Sequence, residues 1–145
     1  MDTIRIQKEP LDVSEALLAI ADLQAGGQAL FLGTVRNHHE DRESRGLFYD
    51  AYPELAAKEM ARIADEIRQE FAVLHLVMLH RIGELALGEV AVIVASSAAH
   101  RQDAIHACQA GIDRIKQRVP IWKKERWAHG PDTWHDDPNL GEKPL

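Results

Sequence analysis

The chain has 145 residues, 46% hydrophobic and 28% charged, with a formal net charge of −6. That length supports one domain with a full core and excludes two comfortable ones. The acidity argues against a general polyanion binder, the single cysteine, Cys108, against a disulfide framework or a cysteine-based zinc site, and the lack of any apolar run near the roughly 20 residues that cross a bilayer against a membrane span.

The first ten residues, M-D-T-I-R-I-Q-K-E-P, lack the apolar centre of a signal peptide, so a cytoplasmic protein is expected. A short strand is predicted at Ile4–Gln7. Asp12-Val-Ser-Glu15 resembles a capping box, and Val13, Ala16, Leu17 and Ile20 form the stripe of a first helix. Gly26-Gly27 breaks it. Gln28–Arg36 reads as a well-buried strand, with Gly33 where the backbone bends or another chain comes close. Asn37–Arg45 reads as a charged, flexible loop. Gly46–Tyr52 is a second strand expected to pair antiparallel with the first.

Pro53 suits the first position of a long helix, and Glu54 suits its positive end. Ala56, Met60, Ile63, Ile67 and Phe71 recur at helical spacing, so one face of this helix packs on a sheet. Val73–Leu79 and Glu89–Ala95 are apolar strands connected through Gly83 and Gly88. A third helix runs from about Arg101 to Arg118 with the stripe Ile105, Cys108, Ile112, Ile115 and Val119, and Pro120 stops it. Ile121–Trp127 is a final strand. The tail over 128–145, rich in glycine and proline, is expected to be irregular. Helices and mainly antiparallel strands on one core define an α+β domain.

The stretch Arg114–Arg126, R-I-K-Q-R-V-P-I-W-K-K-E-R, holds six basic residues and one acidic one among its thirteen. A local positive cluster on an acidic protein draws a small anion to one place. Crowded cations lower a lysine pKa, and a partly neutral Lys116 or Lys123 can act as nucleophile or base. Lys116 also suits the negative end of a helix, with no chemistry implied. His100-Arg101, at a helix start, suits a phosphate or carboxylate, or serves only as a cap and a surface charge. Arg36, at a strand end, is an anion contact or a solvent-facing charge. Cys108 lies on an apolar stripe and reads as core. The eight histidines show no ligand spacing, and His38 and His39, being adjacent, diverge; no metal is expected. Arg101 and Lys116 are fifteen residues apart on one helix, roughly 22 Å at 1.5 Å per residue. One pocket using both needs two copies of the chain, which predicts a two-fold homodimer.

In order along the chain stand F-L-G-T-V-R-N-H (Phe31–His38), L-F-Y-D-A-Y-P-E (Leu47–Glu54), H-R-I-G-E-L (His80–Leu85), S-A-A-H-R (Ser97–Arg101) and K-Q-R-V-P-I-W-K-K-E (Lys116–Glu125). The set closely resembles the large, catalytic subunit family of molybdopterin synthase over about residues 28–127. Asp50 stands where that family often has glutamate, and the tail after Trp127 matches it poorly.

The resemblance implies one domain with an α/β hammerhead-type fold, a mainly antiparallel sheet and three helices. It implies a sulfurtransferase of molybdenum cofactor biosynthesis that turns cyclic pyranopterin monophosphate (precursor Z) into molybdopterin. Sulfur would arrive as a thiocarboxylate on the C-terminal Gly-Gly tail of a small ubiquitin-like subunit, around a central homodimer in a heterotetramer, with no cofactor. Lys116 and Lys123 would be the essential pair. Arg36, His100 and Arg101 would bind the substrate phosphate, and Thr34, Val35, Lys124 and Glu125 would complete the pocket. The alternative is a non-catalytic anion-binding or partner-docking module.

Overall fold

The computed structural model describes residues 2–136. In chain order they form β1 (Asp2–Gln7), α1 (Val13–Ile20), β2 (Gly27–Thr34), β3 (His38–His39), β4 (Arg42–Ala51), α2 (Pro53–Glu70), β5 (Val73–Arg81), β6 (Gly83–Ala86), β7 (Val90–Ala98), α3 (Arg101–Arg118), β8 (Ile121–Trp127) and β9 (Thr133–Trp134). One sheet runs β1-β5-β7-β2, with only the β1–β5 pair parallel; the other runs β3-β4-β8-β9, with β6 also on β4. This is the expected α+β architecture with three helices.

β5 and β7 are central and covered on both faces, which is why their sequences are apolar without alternation. Leu76, Met78, Val92 and Val94 point to α2 and α3, joining Met60, Ile63, Ile67, Ile112 and Ile115 in the main core. Val77, Leu79, Ile93 and Ala95 point the other way, to Ala16 and Ile20 of α1. Pro53 starts α2 with Glu54 in its first turn, as expected. At α1 the Asp12 carboxylate accepts from the Ser14 N–H, and Glu15 turns away to pair with Arg5.

Several expectations are corrected. Gln28–Arg36 is not well buried: β2 is a sheet edge, leaving Leu30, Phe31 and Leu32 at 39%, 36% and 37% exposure. Gly33 does mark a bend, since the register shifts between it and Thr34. β4 pairs with β6 and β8 rather than with β2. Residues 37–45 form a hairpin in place of a loop, because Glu40 and Asp41 both take positive φ (49° and 64°), the geometry of a two-residue turn that matches strand twist. Leu17 and Ile105 are exposed despite their place on apolar stripes. In the tail, Thr133 and Trp134 pair with Glu125 and Lys124, and Trp127 Nε1 donates to Thr133 Oγ1 at 2.8 Å. The expectation of an irregular segment over 137–145 lies outside the described residues.

Candidate active site

A cavity of about 630 Å³ opens where the two sheets meet the end of α3. Its walls come from Thr34 at the end of β2 and Arg36 two residues beyond it, from β4 (Leu47, Tyr49), from His80 at the end of β5, and from Ile115 and Lys116 on α3. Ile121, Lys123 and Glu125 of β8, His38 and His39 of the hairpin, and His135 and Asp136 complete it.

Local sequence explains the arrangement. α3 buries Ile112 and Ile115, so Lys116, one residue on, swings about 100° from the buried stripe toward the cavity mouth. The chain then leaves the helix at Val119-Pro120 and enters β8. Strand alternation turns Ile121, Lys123 and Glu125 to one face. Two lysines seven positions apart in sequence thereby reach the same chamber from different elements.

Their shared field is read by His80. This imidazole is buried at 7% exposure, and its Nδ1–H donates to the Arg81 carbonyl at 2.7 Å, which leaves Nε2 as the nitrogen with a free lone pair. Burial, with the nearby charges of Lys116 and Lys123, outweighs that hydrogen bond and pushes its pKa down to about 4. Burial, with Glu125 nearby, pushes Tyr49 up to about 12. Glu125 itself is 3% exposed. It accepts from Ser44 Oγ and, at 2.8 Å, from His135 Nε2. Burial lowers the His135 pKa, against the pull of that carboxylate.

Of the expected site residues, Thr34, Arg36, Lys116, Lys123 and Glu125 line the cavity. Val35 does not: it is 4% exposed and packs with Leu85 and Ala91 in a separate cluster. Lys124 faces the other side of β8, over the rings of Phe48 and Trp134 at 5.1 and 5.4 Å. His100 and Arg101 are exposed at the far end of α3, and neither lines the cavity of its own chain. The basic stretch divides by partner. Arg114 pairs with Glu66 and Glu70, Arg118 with Glu59 and Glu66, and Arg126 with Glu84. Cys108 is core as expected: it is buried, its thiol donates to the Val94 carbonyl at 3.3 Å, and burial pushes its pKa up to about 11.

Sequence reasoning missed His80, Tyr49, His39 and His135. Only His80 left a trace, as an imidazole directly after the apolar run Leu76–Leu79. His135 left none, because its neighbours are set by the pairing of β9 with β8.

A one-domain α+β frame whose cavity carries two amines and a guanidinium around uncharged rings defines an enzyme-like pocket for a small anionic compound. The family model described as MoaE protein matches residues 6–118. The molybdopterin synthase catalytic subunit of Pyrococcus abyssi is 40% identical over 124 residues, which cover 84% of each chain. That of Drosophila willistoni is 36% identical over 139 residues, and the match spans 37% of its length. The crystal structure of molybdopterin synthase from Staphylococcus aureus superposes with a TM-score of 0.88 at 35% identity, covering 94% of this chain and 99% of that one. The chain belongs to the MoaE family, that of the molybdopterin synthase catalytic subunits.

Proposed function

We propose that the chain is the sulfur-transferring subunit of a cytoplasmic molybdopterin synthase, and that its cavity takes precursor Z. The observation that carries this reading is that, of the six basic residues in Arg114–Arg126, Lys116 and Lys123 alone line the cavity, while Arg114, Arg118 and Arg126 are held by glutamates. Arg36 stands at the same chamber, suited to the substrate phosphate. The lysines offset the negative charge of a thiocarboxylate arriving on the C-terminal tail of a small ubiquitin-like subunit, and they hold or pass protons as sulfur is transferred. No metal and no cofactor is invoked for these steps. His100 and Arg101 act in the cavity of a second copy, within a homodimer that carries a small subunit on each side.

The test is reconstitution. The purified chain, a thiocarboxylated small subunit and precursor Z are mixed, and dithiolene product is assayed. Lys116→Ala and Lys123→Ala are each expected to lower turnover by about 10²-fold or more, the scale of a removed proton-transfer or charge-stabilising group, with folding and small-subunit binding kept. Unchanged turnover in both variants would make the chain a docking module.

A further inference from the structure

Two histidines that the sulfur-transfer reading does not use meet the Glu125 carboxylate at one edge of the cavity. His39 comes from the β3–β4 hairpin, Glu125 from β8, and His135 from the residue after β9. One nitrogen or oxygen of each lies within 4.8 Å of those of the other two. His135 Nε2 is 2.8 Å from Glu125 Oε1, and the two imidazole centroids are 4.5 Å apart. Donors sharing one tetrahedral ion at about 2.0–2.2 Å stand roughly 3.3 Å from one another. Small ring rotations reach that geometry.

The donors are held, not loosely gathered. Glu125 is nearly buried, and its second oxygen accepts from Ser44 Oγ, the outer hydrogen bond that orients a ligating carboxylate. His39 sits on a two-residue-turn hairpin and packs against Trp127, centroids 6.2 Å apart. The His135 backbone N–H donates to the Lys123 carbonyl at 2.8 Å, which fixes its place beside β8. All three residues line the cavity, so the fourth position faces open space, as in a three-ligand site that keeps room for water. Two influences oppose a cation here. His39 Nε2 lies 3.7 Å from the exposed Glu40 carboxylate, and Lys116 and Lys123 share the chamber. Glu125, as a ligand, and Asp136, also on the cavity wall, bring negative charge to the ion.

We propose that His39, Glu125 and His135 bind a divalent transition-metal ion of borderline character, with zinc the best match to two imidazoles and one carboxylate without thiolate. The ion ties the hairpin and the tail to β8. The proposal goes beyond the sulfur-transfer reading and does not depend on it.

Full-length chain freed of metal by chelation is titrated with zinc chloride in a calorimeter. One zinc per chain is expected, with a thermal midpoint that rises with zinc concentration. His39→Asn and His135→Gln should each weaken binding at least about tenfold, a loss that even outer partners of metal ligands produce, and should abolish the thermal shift. Circular dichroism without zinc should be unchanged, since His39 sits on a hairpin whose other residues from 38 to 43 are exposed. Cobalt(II) should give the intense visible bands of a four- or five-coordinate site in the parent and the weak bands of a solvated ion in both variants. No saturable zinc binding by the parent, or equal affinity in both variants, overturns the proposal.

Discussion

Tyr49 and His80 meet edge to face at the floor of the cavity, ring centroids 5.1 Å apart and planes inclined at 73°. Both can titrate, and both are held neutral at pH 7: Tyr49 is pushed up to about 12 and His80 down to about 4. The cations at the rim therefore face a floor that carries no compensating charge, and their field is left for an entering anion. The buried Glu125 carboxylate is instead occupied locally, by Ser44 and His135.

His80 gives the fold a pH signature. Its folded pKa of about 4 lies below the ordinary imidazole value of 6.5, so between those values the unfolded chain binds the extra proton. The stability tied to this group is complete above about pH 6.5 and is lost as pH falls toward 4, by up to about 3 kcal/mol. At pH 5 about 2 kcal/mol of it is gone. Urea unfolding at pH 7 and pH 5 measures the difference. His80→Gln should remove most of it, and an unchanged difference would locate the acid sensitivity in another group.

Neighbouring cations in one basic run are expected to behave oppositely. Arg114 and Arg118 join α3 to α2 through Glu59, Glu66 and Glu70, whereas Lys116, between them in sequence, lines the cavity. Arg118→Ala should leave product formation at the parent level and cost at most about 1 kcal/mol, since these pairs are partly solvated. Lys116→Ala should do the reverse, removing activity with little change in unfolding midpoint. Assaying both variants for turnover and urea stability decides. An activity loss in Arg118→Ala as deep as that of Lys116→Ala would undo the separation.

What the sequence made legible follows from range. Pro53, Glu54 and the 3.6-residue stripe of α2 are local signals, and the helix stands where they put it. The buried stripe of α3 and the stop at Pro120 likewise place Lys116 and Lys123 on adjoining elements. Strand partnership is a long-range property, so the apolar run Leu30–Leu32 looked central and proved to be an edge. Two positive-φ residues, Glu40 and Asp41, made a hairpin from what composition described as a loop. The basic run looked like one patch because the acids that neutralise its arginines lie on α2 and β6, 42 (Arg126 to Glu84) to 59 (Arg118 to Glu59) residues away in sequence.

Gly111 lies mid-helix in α3, where alanine would ordinarily gain about 1 kcal/mol of helix propensity. Here a Cβ would stand 2.9 Å from Val94 Cγ1 and 3.7 Å from Ile67 Cδ1. Val94 and Ile67 are both fully buried, so the contact has little room to relax, and overpacking of this kind costs about 1–3 kcal/mol. Gly111→Ala should therefore lower stability. A raised urea midpoint would mean that the sheet yields to the helix at this point.

Arg101 and Lys116 mark the two ends of α3, and β2 runs alongside. At Gly27 a Cβ would lie 2.8 Å from Arg101 Cα, while Thr34, at the other end of β2, lines the cavity. Eight strand residues span about 26 Å, close to the roughly 22 Å between the helix ends. An antiparallel two-fold pairing of two β2 edges would cover Leu30, Phe31 and Leu32, and would bring the partner's Arg101 to this chain's cavity. Sedimentation should give a dimer. Arg101→Ala and Lys116→Ala should each be nearly inactive alone. Mixed and allowed to exchange subunits, they should regain about a quarter of parental turnover, because half the dimers are then mixed and each mixed dimer holds one intact site of two. No recovery after verified exchange would mean that each cavity is built from a single chain.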